Sequence, residues 1–205
     1  MRMGYPSQPS ADTPALLCVD LVREYADPAR PFHDDANART LEACGDMLAH
    51  ARAAGWSVIH SILQRDAGLF RRGAEHARPV DRLEPLASEQ VYLREGLSAL
   101  SHPILRRVAE GARCQVYLIG FSLSHSLLST VFDGASCGLR MTLVEEAVGA
   151  TPVNGMTAAS LKLTAKRLLA PFANFTTLDA LHGSGGPTVV AAAWPRGEMQ
   201  GAGRW

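Results

Sequence analysis

The feature that most constrains this chain is an alternation repeated along nearly its whole length. Short apolar runs are separated by stretches whose apolar residues recur at helical spacing. Residues 15–20 are continuously apolar from Ala15 to Val19 and close on Asp20. An unbroken run of that length reads as a strand buried on both faces. Residues 37–54 follow, with Leu41, Cys44, Leu48 and Ala51 on one helical face and Gly55 as a stop. Further strands are predicted at 57–63, 90–94, 115–120, 141–145 and 172–177, and further helices at 102–111, 124–136 and 155–170. Strands that alternate with helices over a whole chain form a parallel sheet covered by helices. Right-handed crossovers then put ligands outside the carboxyl ends of the strands. The connection 64–89 is long for such a fold, and long connections are commonly functional.

Composition narrows the partners. Lys+Arg and Asp+Glu are both 20 in 205 residues, so no general pull toward nucleic acid is expected. No apolar run approaches the ~20 residues of a membrane span. The N-terminal stretch MRMGYPSQPSADTP lacks the apolar segment of a secretory signal. Cys18, Cys44, Cys114 and Cys137 form no C-x-x-C pair and no zinc-spaced cluster, so they read as reduced thiols of a cytoplasmic protein. The expected organisation is a loose arm at 1–13, one domain at 14–182 and a Gly-rich tail at 183–205. That tail either stays loose or packs on a neighbouring subunit.

Three polar residues stand at predicted strand ends: Asp20, Arg94 and Ser126. The sheet would bring them together, and a carboxylate and a guanidinium in one cleft would pair. On the residues alone that pair reads first as a strand-end cap with its charge partner and second as part of a reaction site. Ser126 lies in the turn Gly120-Phe121-Ser122-Leu123-Ser124-His125-Ser126, where backbone N–H groups at a helix start can stabilise an anion. His125 and Ser126 are the candidate backbone donors. Ser122 or Ser124 is a helix cap or a pocket hydroxyl. Neighbouring helical residues diverge by about 100°, so His125 and Ser126 do not form a dyad. His60, inside an apolar strand, reads as a core histidine.

These blocks resemble the isochorismatase-like hydrolases. The run ALLCVDLVREY is similar to that family's first strand, and GWSVIHSI, VYLREGLSAL, VYLIGFSLSHSLLSTVFDGASCG and MTLVEEAVGATP follow its later blocks in order over about residues 14–182. The resemblance implies a three-layer αβα fold with a six-stranded, mostly parallel, Rossmann-like sheet. It also implies a homodimer or higher homo-oligomer, a small-molecule substrate, and no nucleic-acid or membrane partner. The family's amidase branch uses an Asp–Lys–Cys triad. Its positions fall on Asp20, Arg94 and Ser126, so two of the three residues differ in kind. A serine hydroxyl needs a base where a thiol does not, and a guanidinium is not a base, so Arg94 is expected to orient Asp20 or to clamp a substrate carboxylate. The isochorismatase branch lacks the cysteine and cleaves a vinyl ether by acid–base chemistry. The metal-binding branch carries Asp-x-His after strand two, where this chain has Gln64-Arg65-Asp66, so no metal and no cofactor are expected. Tyr25 falls at an aromatic position beside the aspartate. Tyr25, Phe70, Ser122 and Leu123 are candidate substrate contacts. The implied activity is hydrolysis of an amide or carbamoyl C–N bond or of a vinyl ether, with Asp20 as acid/base. A small-molecule-binding relative without turnover, and a lyase or isomerase using the same pocket, remain alternatives.

Overall fold

The computed structural model describes residues 13–112 and 114–183. The expectations for the arm up to residue 12 and for the tail from residue 184 lie outside the described residues. The strands are β1 (Ala15–Val19), β2 (Ser57–Leu63), β3 (Gln90–Arg94), β4 (Val116–Gly120), β5 (Thr142–Val148) and β6 (Asn174–Thr176). The helices are α1 (Asn37–Ala53), α2 (Pro103–Gly111), α3 (Leu128–Ser136), α4 (Ala158–Leu169) and α5 (Leu178–Gly183). The strands form one sheet in the order β3-β2-β1-β4-β5-β6. Every neighbouring pair is parallel.

The order explains where a site belongs. From β1 the sheet grows one way through β2 and β3, then the chain returns and grows the other way from β4. The crevice where direction reverses therefore lies between the carboxyl ends of β1 and β4, at Asp20 and Gly120. The alternation of β1 shows why both faces need cover. Ala15, Leu17 and Val19 enter one apolar core with Leu105, Val131 and Leu169 of α2, α3 and α4. Leu16 and Cys18 enter the other with Met47 and Leu48 of α1 and Leu181 of α5. At Gly120 (φ 123°) a Cβ would stand 1.9 Å from the carbonyl oxygen of Val19, so only glycine lets β4 leave the sheet beside β1.

Three details differ from the pattern expected of the sequence. β5 runs on to Val148, with a register irregularity between the partners of Leu118 and Gly120. Its carboxylates hold helices: Glu145 takes Lys166 of α4 at 2.7 Å, and Glu146 accepts the Leu178 N–H at the start of α5 at 3.2 Å. The helix expected from 124 opens instead as a π-turn over Leu123–Leu127, because Ser122 adopts a left-handed conformation (φ 64°). The six-residue α5 has too few apolar positions to register as a helix in the sequence.

Candidate functional site

Asp20 is the first residue past β1 and is itself left-handed (φ 52°). Its N–H donates to the Ser61 carbonyl at 3.0 Å, which anchors the turn to β2. The side chain points into the crevice, fully buried. Its Oδ1 accepts the Leu63 N–H at 2.7 Å and Arg94 Nη1 at 2.8 Å, and its Oδ2 accepts Arg94 Nη2 at 2.6 Å. The sequence places both partners at strand ends, and the register of β2 with β3 sets Leu63 opposite Arg94.

Arg94 is fully committed. Its Nε and Nη2 donate to the Leu97 carbonyl at 3.2 and 3.1 Å, and Nη1 also reaches Ser61 Oγ at 3.4 Å. With the two bonds to Asp20, that accounts for all five N–H donors of a guanidinium. Both side chains of the pair are 0% exposed.

Ser126 is buried on the other side of the crevice. Its carbonyl accepts Thr130 Oγ1 at 2.6 Å, and that oxygen accepts the Ala99 N–H at 2.8 Å. Leu97 and Ala99 therefore tie Arg94 and the Ser126 turn to one short segment. The two expected backbone donors are unequal. The His125 N–H donates to the Ser122 carbonyl at 3.0 Å and is spent. The Ser126 N–H reaches Ser122 Oγ only at 3.4 Å, a long bond that a better acceptor displaces. His125 is exposed and pairs with Ser124 Oγ at 2.9 Å.

A cavity of about 310 Å³ opens above this turn. Ser122, Ser124, His125 and Ser126 line one side, Tyr25, Phe32 and Phe70 another, and Leu63, Arg65, Ala67 to Leu69, Leu97 and Thr151 to Val153 complete it. Asp20 and Arg94 do not line it. Leu123 does not either: its side chain is buried in the core shared with α2, α3 and α4, a correction to the expected contact. Tyr25 stacks on Phe121 at 4.9 Å, while Phe32 and Phe70 stack at 5.9 Å. Burial, with Asp20 nearby, pushes the Tyr25 hydroxyl well above its ordinary range against the opposing Ser122 hydrogen bond. Arg65, Phe32, Leu97 and Thr151 were not singled out by the sequence, because each acts through loop closure that no periodic pattern records, and Thr130 was not because its place in α3 gives no sign of the Ala99 N–H it accepts.

Residues 14–180 match the family described as Isochorismatase, isochorismatase domain. The chain belongs to the isochorismatase family. Membership places it among hydrolases. Its fold is shared with a cysteine hydrolase from Pseudomonas syringae (TM-score 0.73, 17% identity, 80% of this chain and 88% of that one). It is shared equally with an isochorismatase from Pseudomonas putida (0.68, 22%, 85% and 92%) and with N-carbamoylsarcosine amidase from Thermoplasma acidophilum (0.66, 19%, 80% and 96%). No curated protein matches the chain.

In this isochorismatase-family member no described cysteine lines the cavity beside the Ser126 turn. Burial pushes Cys18 well up, and pushes Cys44 up to about 12. Cys137 Sγ is turned back onto the carbonyls of Asp133 and Gly134 in its own helix. A second cavity, of about 260 Å³, lies at the amino ends of the strands. Leu17, Leu105 and Met141 among others make it apolar, and no charged side chain lines it. Among the described residues no helix is long and apolar enough to cross a membrane.

Proposed function

We propose that this protein hydrolyses a small metabolite at an amide or carbamoyl C–N bond. Asp20 is the proton acceptor and Ser126 the hydroxyl between it and the cavity. The observation that carries this reading is how the Asp20 carboxylate is occupied. Oδ1 already accepts two hydrogen bonds and Oδ2 one, all from donors fixed in the chain. A carboxylate oxygen has two lone pairs in its plane, so one acceptor site stays open, on Oδ2. That open site is where the carboxylate can take up a proton.

A C–N hydrolase needs this order of events. The base takes a proton from the attacking water, the carbonyl becomes tetrahedral, and the same proton then goes to the leaving nitrogen as the C–N bond breaks. A vinyl ether needs a proton delivered first, and an open acceptor site answers the other need. Arg94 spends its donors on Asp20, Leu97 and Ser61, so it keeps the carboxylate in place and has none left to clamp a substrate. Because Asp20 has no exposure, the proton must travel through a neighbouring group, and Ser126, buried yet on the cavity wall, suits that role. The weakly held Ser126 N–H supplies one donor to the developing oxyanion.

The test is turnover of a panel of small primary amides and N-carbamoyl compounds by wild type, Ser126→Ala and Asp20→Asn. A loss of about 10²–10⁴ in kcat/KM is expected for each variant. Full activity in Ser126→Ala would remove the hydroxyl from the mechanism.

One observation favours a second reading, a small-molecule-binding relative without turnover. A carboxylate and guanidinium this completely satisfied also make a good structural pin. Saturable binding with no hydrolysis across the panel would select it.

A further inference from the structure

The cavity wall carries one formally charged side chain, and it is not the arginine of the buried pair. Arg65 lines the cavity, and no carboxylate does. The charge of Asp20 is already met by Arg94 behind the wall. Of the other arginines in the same loop, Arg72 lies 3.7 Å from Glu95 and Arg78 pairs with Glu75 at 3.1 Å, and neither these nor Arg71 and Arg82 line the cavity. Arg65 has no ion-pair partner among the described residues.

Its backbone is fixed even though its side chain is exposed. The Arg65 N–H donates to the Phe70 carbonyl at 2.8 Å, and its carbonyl accepts the Arg72 N–H at 2.8 Å. The loop between is therefore closed, and it holds Arg65 and the Phe70 ring on one rim. Phe70 stacks on Phe32, with the ring planes 15° apart. Phe32 is pinned in turn by Thr151 Oγ1, which donates to its carbonyl at 2.9 Å. A cation beside a flat apolar wall is built before any ligand arrives, which lowers the cost of binding.

We infer that Arg65 is the specificity residue of this cavity. It selects small carboxylates whose flat, apolar body lies against Tyr25, Phe32 and Phe70 and whose carbonyl faces Ser126. The inference rests on the hydrolase reading for the carbonyl and on geometry alone for the carboxylate. The volume, about 310 Å³, lies at the low end of small-molecule sites and suits a single ring with two substituents. Guanidinium and carboxylate form a paired, charge-assisted contact that a neutral amide cannot reproduce.

The experiment uses two matched probes, 4-carbamoylbenzoate and benzene-1,4-dicarboxamide. Affinity is measured by calorimetry at low and high salt on the full chain, and hydrolysis of both is measured separately. Wild type is expected to bind the carboxylate about ten- to a hundredfold more tightly than the diamide, the range of a hydrogen bond to a charged group. Salt should narrow that gap, because Arg65 is exposed. Arg65→Gln should abolish the preference and leave diamide affinity in place, while Arg65→Lys keeps part of it. Equal affinity for the two probes in wild type, no binding of either, or equal weakening of both in Arg65→Gln would overturn the inference. The hydrolysis arm separates the two ideas. A carboxylate preference without turnover sinks the hydrolase reading alone. Turnover that Arg65→Gln leaves unchanged for the carboxylate sinks the role of Arg65 alone.

Discussion

Among the described residues three carboxylates with little or no exposure, Asp20, Glu24 and Glu89, are held by an arginine; two of them, Asp20 and Glu89, take two guanidinium nitrogens each, and only one of these two has the makings of a reaction site. Asp20 takes both terminal nitrogens of Arg94. Glu89 takes Nε and Nη2 of Arg52 at 2.7 and 3.0 Å, the Leu86 N–H at 2.9 Å and His60 Nε2 at 3.0 Å. The fork geometry is shared. The surroundings are not. Asp20 sits at the carboxyl end of β1, at the topological switch, with the Ser126 turn opposite. Glu89 precedes β3 and joins α1 to β2, and neither it nor Arg52 nor His60 lines the cavity beside the Ser126 turn. Paired charge therefore marks rigidity, and position on the sheet decides whether that rigidity can serve chemistry.

The comparison breaks most visibly in stability. Asp20→Asn leaves the Arg94 charge fully buried without a counter-ion, and a loss of about 3–5 kcal/mol is expected. Glu89→Gln leaves Arg52, which is 24% exposed, free to turn toward water, so a loss of about 1–2 kcal/mol is expected. Urea denaturation of both variants measures the difference. Equal losses would mean that the two pairs do the same structural work.

The second contrast is with pH. Burial lowers His60 below its ordinary value of 6.5, although the Glu89 hydrogen bond pulls the other way. For Glu89, burial alone would raise the carboxyl, but the bonds from Arg52, Leu86 and His60 prevail and hold it below 4.5. Both shifts have one sign in stability. Below pH 6.5 the unfolded chain binds a proton that folded His60 refuses, so stability falls as the pH drops. Below pH 4.5 the unfolded chain also protonates its Glu89 first, and stability falls further as the folded carboxyl titrates. His60→Gln should flatten the upper window, read by thermal melts between pH 5 and 7, and leave turnover as in wild type. A turnover change there would make the Glu89 cluster part of the site after all.

Much of this was legible in the chain and some was not, for physical reasons. Runs such as 57–63 and 90–94 carry their own strand signal because both faces, or one face and an edge, are apolar, and the strands match those bounds. Asp20 and Arg94 were legible because a polar residue that ends an apolar strand has few places to go. Ser126 was legible as a position, but its π-turn was not, since it depends on the left-handed Ser122 and its carbonyl accepting from Leu127 at 3.1 Å. Arg65 was read only as the absence of a metal pattern. Its place on the cavity comes from a loop closed by backbone bonds to Phe70 and Arg72, which leave no trace in side-chain periodicity.

The smallest expected effect concerns Tyr25, which belongs to both halves of the comparison. Its ring is buried between Phe121 and Phe32, as a structural residue's would be, yet it lines the cavity and its hydroxyl bonds Ser122. Burial raises that hydroxyl, so it stays protonated through the working range and acts only as a hydrogen-bond partner. Tyr25→Phe keeps the stack and deletes one bond, at a cost of about 0.5–1.5 kcal/mol in stability. Turnover should change by no more than about the tenfold that 1.4 kcal/mol represents, with an unaltered pH profile. A loss as deep as that of Ser126→Ala, with a shifted profile, would move the proton path from Ser126 to Tyr25 and Ser122. The aromatic wall would then be part of the acid–base machinery rather than the surface a substrate rests on.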